Sequence, residues 1–297
     1  MDQNSDRSWK SMRRRVQRGM LCTYVSGVFR GPLWDGRSVP SPRGRYGSGP
    51  QPVLPFLLLG DSSAVTVGVL DRMQTLGAQL AGALAEELSC AVGLEVPARA
   101  GATSAGMERQ LKVAVSRPGS GVALILIGGN DVMLPMSLRR SANRLGDYVR
   151  QLRAAGWQVV VGSCADMGAA PGVRVGAAAL ATVRSRRLAR RQASAVLAAG
   201  GLVVSLTTDA FRDRPEELYC PDGFHPSAEG YAHYFARLRI GVLEAGRISR
   251  CGQASGVAGD VLVECSGRSF APVVREPGAC FVPVEGQVVM RRYLTVA

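Results

Sequence analysis

The sequence predicts an α/β protein, a sandwich in which a parallel sheet is covered by helices on both faces, and three observations predict it. Short, continuously apolar runs of strand length recur through the middle of the chain, as they do in strands buried on both faces. Mixed segments of helical length separate them, long enough for the crossovers that parallel strands require. The residues able to do chemistry stand just after the apolar runs, at the carboxyl rim where open parallel sheets gather ligands.

In order, "VLPFLLL" (53–59) is the first strand and a helix follows at about 70–88. "CAVGLEVPA" (90–98) is the second strand, with a helix at about 105–115 behind it, and "GVALILI" (121–127) is the third. A helix at 137–155, the strand "WQVVVGS" (157–163), a helix at 176–199 and the strand "GLVVSL" (201–206) continue the alternation, which a helix at 227–244 closes. Each crossover helix must pack back on the sheet, so both faces are covered.

The ends differ from this middle. Residues 1–52 are expected to be a basic, poorly ordered arm whose last part, "SVPSPRGRYGSGPQP" (38–52), has the Pro, Gly and Ser content of a linker. Residues 53–246 form the expected catalytic-size domain. Residues 247–297 are an extension of short β-like pieces, among them "ACFVPV" and "GQVVMRRYLTV", which either add a β-appendage or trail as a tail.

The formal net charge of +13 resembles that of a nucleic-acid binder until it is divided along the chain. Residues 1–50 carry ten Lys/Arg against three Asp, more than half of the excess. The rest of the chain is only mildly basic, so no obligatory nucleic acid is expected; weak contact of the arm with a membrane surface is compatible with its charge. Arg184, Arg186, Arg187, Arg190 and Arg191 share one helical face, which suits a solvated outer surface at least as well as a ligand patch. Seven cysteines lack Cys-x-x-Cys spacing and a His cluster, which argues against zinc. A bridge from Cys251 to Cys265 or Cys280 stays open. No run approaches 18 apolar residues, and "MLCTYVSGVF" (20–29) is too weakly apolar for a signal core. A cytoplasmic protein is expected, secretion being the alternative, and the oligomeric state is undetermined.

The rim carries the functional reading. Gly60-Asp61-Ser62 follows the first strand, Gly101 lies in "ARAGATSAG" after the second, "GGND" (128–131) follows the third, and "CPDGFHPSAEGY" (220–231) precedes the last helix. Together they supply a hydroxyl, glycine-rich backbone donors, an amide and an Asp-x-x-His pair, an inventory for nucleophilic acyl transfer. Alone, Gly-Asp-Ser is turn chemistry and "GGND" a helix start. His225 is fixed just before Pro226 where a helix begins, whereas His233, the chain's other histidine, falls within that helix as a packing residue. Asp222 can fold back within one turn to hold the His225 ring.

These residues resemble the SGNH hydrolases, also called GDSL esterases and lipases. The four blocks "GDSS", "AGATS", "GGND" and "DGFHP" occur in the family's order across about residues 53–244. The resemblance implies a flavodoxin-like three-layer sandwich with a five-stranded parallel sheet and no cofactor or metal. It implies Ser62 as nucleophile, His225 as general base and acid, and Asp222 as its orienting partner. The oxyanion donors would be the Ser62 and Gly101 backbone N–H groups and the Asn130 side chain, acting on a small-molecule ester. The family's first block continues Gly-Asp-Ser-x-x-x-Gly, but here Thr66 stands in the glycine's place. A β-branched side chain there is expected to crowd the turn after the helix start. Two expectations of different class follow: a serine esterase, with activity nearly unchanged on removal of residues 1–50, and a non-catalytic lipid- or nucleic-acid-binding module on the same fold.

Overall fold

The computed structural model describes residues 27–30, 39–48, 52–116, 121–254, 279–284 and 287–292. Five parallel strands form its centre: β2 (Leu54–Gly60), β3 (Val92–Glu95), β4 (Val122–Leu126), β5 (Gln158–Gly162) and β6 (Leu202–Val204), with spatial order β3-β2-β4-β5-β6. The strand β1 (Gly44–Tyr46) joins one edge, antiparallel to β3. At the other edge β7 (Ala279–Val284) pairs parallel with β6, and β8 (Gln287–Arg292) antiparallel with β7. The five-stranded centre agrees with expectation; eight strands in all are more than expected.

Alternation along the strands builds two cores. Phe56, Leu58, Leu124, Leu126, Val160 and Val204 point to one face, against α2 (Leu76–Glu87) and α9 (Ala228–Ala254). Leu57, Leu59, Ala123, Ile125, Val161 and Val203 point to the other, against α3 (Glu108–Val115), α5 (Leu138–Ala154) and α6 (Val175–Ala198). Both sheet faces are therefore apolar, which is why the sequence shows continuous rather than alternating runs. Each fully buried leucine contributes about 1.5–3 kcal/mol. The helices start where side chains can cap them: Thr75 accepts a bond from the Ala78 N–H, and Ser137 from that of Arg140.

The expected division at residue 52 does not hold for every residue of the arm. Residues 44–46 are a strand because β3 offers them an open edge, which composition cannot reveal. Phe29 is only 6% exposed and forms an antiparallel bridge with Val173. Residues 1–26 and 31–38 lie outside the described residues. Nor does the chain break at 246, since α9 runs on to Ala254. Cys265, invoked for a bridge, falls outside the described residues; Cys90, Cys164 and Cys220 are free thiols. No helix among the described residues is long and apolar enough to cross a membrane.

Candidate active site

The strand order reverses at β2, which has β3 on one side and β4 on the other. The crevice at such a switch point is where doubly wound sheets bind ligands. The chain leaves β2 there through Gly60, whose φ is +133° and where a Cβ would lie 1.8 Å from the Leu126 carbonyl oxygen. Only glycine lets the two strand ends close this tightly. The buried Gln110 amide brackets the same residue, accepting from the Gly60 N–H at 2.8 Å and donating to its carbonyl at 2.9 Å.

Ser62 opens the short helix α1 (Ser62–Val65), capped by Asp61, which accepts a bond from the Ser63 N–H at 3.0 Å. Burial pushes the Asp61 carboxyl up to about 6, against the lowering effect of bonds from the Ser63 and Gly128 backbone; the neighbouring Asp131 charge adds a smaller upward push.

Thr66 ends α1 in the left-handed region, φ 66° and ψ 46°, fully buried. Its Oγ1 has no hydrogen-bond partner among the described residues. The crowding expected at this position is thus expressed as backbone strain and an unmatched hydroxyl. Two residues on, Gly68 has φ +108°, and a Cβ there would meet Cys220 Sγ at 2.4 Å and the Pro226 carbonyl oxygen at 2.6 Å. The turn after Ser62 therefore packs directly on the 220–226 loop. Tyr231, from α9, reinforces the contact by donating to the Val67 carbonyl at 3.0 Å.

Within that loop, Asp222 Oδ2 and His225 Nδ1 are 2.6 Å apart, while Asp222 Oδ1 accepts from the Phe224 and His225 N–H groups at 2.9 and 3.0 Å. Burial pushes the Asp222 carboxyl up, but the bonds from the His225 ring and the two backbone donors outweigh it and hold the group below its ordinary value. With Nδ1 engaged by Asp222, the ring's other edge is Nε2. The loop is closed by the Cys220 N–H donating to the His225 carbonyl at 2.8 Å.

The "GGND" block starts α4 (Gly129–Met133), and the Asn130 Nδ2 donates to the Ala102 carbonyl at 2.8 Å. Asp131 is fully buried and accepts from the Ser104 N–H at 2.9 Å and from the Ser104 and Ser141 hydroxyls at 2.6 Å each. Arg184 does not belong to a solvated face as expected. It reaches inward from α6, donating to the Val132 carbonyl at 2.9 Å and to those of Asp131, Leu134 and Met136 at 3.0–3.1 Å. Arg186, Arg187 and Arg190 remain exposed.

One cleft is lined by Ser62, Asn130 and His225 together, with Ile127, Leu206 and Phe224 among its apolar walls. Gly101, φ +77°, sits on an exposed shoulder beside Ala102 and is not among the lining residues. Its loop is tied to β2 by the Arg99 N–H donating to the Gly60 carbonyl at 3.1 Å. Cys164 lies in the wall, and burial raises its thiol far above the ordinary range. His233, on α9, packs edge-on to Phe211, as a packing histidine should. Among the described residues, no group of three or more His, Cys, Asp or Glu side chains gathers as a metal site.

Sequence reasoning did not single out Gln110, Ser104, Ser141 or the inward role of Arg184. Gln110 and Arg184 act on backbone groups far away in the chain, Ser104 and Ser141 on the Asp131 carboxylate, and no local spacing announces them.

Comparisons with known proteins place the chain in a family and give solved structures of similar fold. A GDSL-like esterase of Mycobacterium tuberculosis, Rv1075c, is 39% identical over 181 residues, 60% of this chain; the chain spans 58% of that relative's length. The crystal structure of TesA superposes with a TM-score of 0.50 at 20% identity, over 66% of this chain and 97% of its own. A mutant of Axe2, an acetylxylan esterase from Geobacillus stearothermophilus, gives 0.50 at 17% identity, over 66% and 95%. These two likenesses concern the fold. The family model for GDSL-like lipases and acylhydrolases matches residues 58–233, a span holding all four blocks, and the chain is a member of that family.

Proposed function

We propose that the protein hydrolyses carboxylic esters through an acyl-enzyme on Ser62. The observation that carries this is the Asp222–His225 pair, 2.6 Å apart, in a cleft that also holds Ser62 and Asn130. His225 Nε2 takes the proton as Ser62 Oγ attacks the ester carbonyl. The resulting oxyanion takes hydrogen bonds from the Ser62 and Gly101 N–H groups and the Asn130 amide, donors worth about 3–4 kcal/mol each in comparable sites. The imidazolium returns its proton to the departing alkoxide, leaving the acyl group on Ser62. Water, deprotonated by His225, then attacks the acyl-enzyme, and collapse of the second tetrahedral species releases the acid and restores Ser62. Asp222 holds the Nδ1 tautomer and the charge that forms on the ring.

The test is turnover of p-nitrophenyl esters of increasing acyl length by the protein and by Ser62→Ala, with fluorophosphonate labelling beside it. Wild type should turn over and become labelled, and Ser62→Ala should do neither. Turnover and labelling that survive the substitution refute the nucleophile.

A further inference from the structure

We infer that residues 27–30, centred on Phe29, are a strap that positions the Asp222–His225 turn, and that Phe29 is a positioning residue for the proposed ester hydrolysis. The inference rests on that reading for its kinetic consequence and reverses the expectation that removal of residues 1–50 leaves activity nearly unchanged, but its geometry stands independently.

Two separate lines connect the strap to the turn. The first is a backbone relay: the Arg30 N–H donates to the Gly172 carbonyl at 2.8 Å, the Gly172 N–H to the Gly223 carbonyl at 2.7 Å, and the Gly223 N–H to the Cys220 carbonyl at 2.8 Å. Gly172 is wedged against the turn so closely that a Cβ there would lie 2.8 Å from the Asp222 carbonyl oxygen. The second is aromatic. The Phe29 and Phe224 rings meet edge-on with centroids 5.0 Å apart, and Phe224 meets the His225 ring edge-on at 5.2 Å. Such contacts fix ring orientation as well as burying area.

The strap is itself anchored. The Arg174 N–H donates to the Val28 carbonyl at 2.8 Å and its Nε to the Phe29 carbonyl at 3.2 Å. Phe29 shares a core cluster with Val132 and Met133 of α4 and with Phe224. It therefore belongs to the same apolar cluster as the element carrying Asn130 and packs directly on the loop carrying His225. Without it, Phe224 loses the wall that keeps it against the imidazole, and displacements of about an ångström at a reacting group cost up to about a hundredfold in rate.

The experiment uses the full chain with Phe29→Ala, Phe29→Leu and Arg30→Pro, the last removing the N–H that donates to Gly172 while leaving Phe29 in place. Turnover is expressed per site titrated with fluorophosphonate, so that molecules lost to unfolding do not count. Phe29→Ala and Arg30→Pro should lower kcat per labelled site roughly ten- to a hundredfold with KM little changed, and Phe29→Leu should recover most of the loss. Hydrogen exchange of the peptide covering residues 219–226 should accelerate in both impaired variants and not in Phe29→Leu.

A purely structural role would lower the yield of labelled sites and leave kcat per site unchanged, and that result overturns the inference. Unchanged exchange over residues 219–226 overturns it as well, even if the wild type proved inactive on every ester; that inactivity would sink the proposed activity and leave the exchange result to decide the strap. Should Phe29→Ala not fold, Arg30→Pro with exchange over 219–226 decides alone.

Discussion

Replacing Thr66 by glycine and, separately, by alanine isolates the strain stored four residues after Ser62. Thr66 is fully buried at φ 66°, with its hydroxyl unpartnered. An L-residue in the left-handed region costs about 1–2 kcal/mol, a penalty glycine escapes. Where the backbone is ordinary, alanine exceeds glycine in stability by about 0.4–1 kcal/mol because it restricts the unfolded chain; at positive φ the order inverts by more than that. Both variants shed the buried hydroxyl, whose lack of a partner costs about 1–3 kcal/mol, and both lose a methyl worth about 0.8 kcal/mol. Thr66→Gly should therefore be at least as stable as wild type and about 1 kcal/mol above Thr66→Ala. In thermal unfolding that gap is roughly 2–4 °C for a domain of this size. The assay is paired urea and thermal unfolding of the three proteins. Alanine melting level with glycine, or above it, refutes the strain.

Two further predictions rest on the same crevice. The Asp61 carboxyl is raised to about 6 from 3.8, so its contribution to stability is complete below pH 4 and lost as pH rises through 6, by up to about 3 kcal/mol. The stability difference between wild type and Asp61→Asn, from urea unfolding at pH 4.5 and 8, should favour wild type more at the lower pH; a flat difference would discard the buried-acid account. Arg184→Ala strips four carbonyls of their donor and should cost about 2–3 kcal/mol. Turnover should fall too, because the Asn130 element loosens, and Arg184→Lys should recover little, since one ammonium cannot span that fan of acceptors. Full recovery by lysine in unfolding and kinetic assays would contradict this.

The parts legible in the sequence are those whose cause is local. The five central strands and the long helices follow from apolar runs and their separation, and most expected and observed boundaries differ by a few residues, as with 53–59 against Leu54–Gly60, while α9 runs ten residues past its expected end. The cleft was legible because Ser62, Asn130, Asp222 and His225 each follow or precede a recognisable element. Gly101 lies at the expected strand end, on the exposed shoulder of the rim. The strand at Gly44–Tyr46 was not legible, because a Gly- and Arg-rich stretch becomes a strand only when an unpaired edge accepts it. Phe29 was hidden likewise, one of several aromatics in a basic stretch, because its partners lie far along the chain. Arg184 looked solvent-facing because helical projection orders residues around an axis but does not show what lies beside it.

The strap also orders events during synthesis. Phe29 leaves the ribosome before the cleft residues it supports, yet Arg174, which grips its carbonyl, comes 145 residues later. At translation rates of about 5–20 residues per second this is roughly 7–30 seconds of waiting. During that interval the aromatic ring has no pocket, and Ser62 emerges without its histidine. The Phe29 strap, among the oldest described residues, can dock only once the segments holding Gly172, Arg174 and Phe224 have emerged.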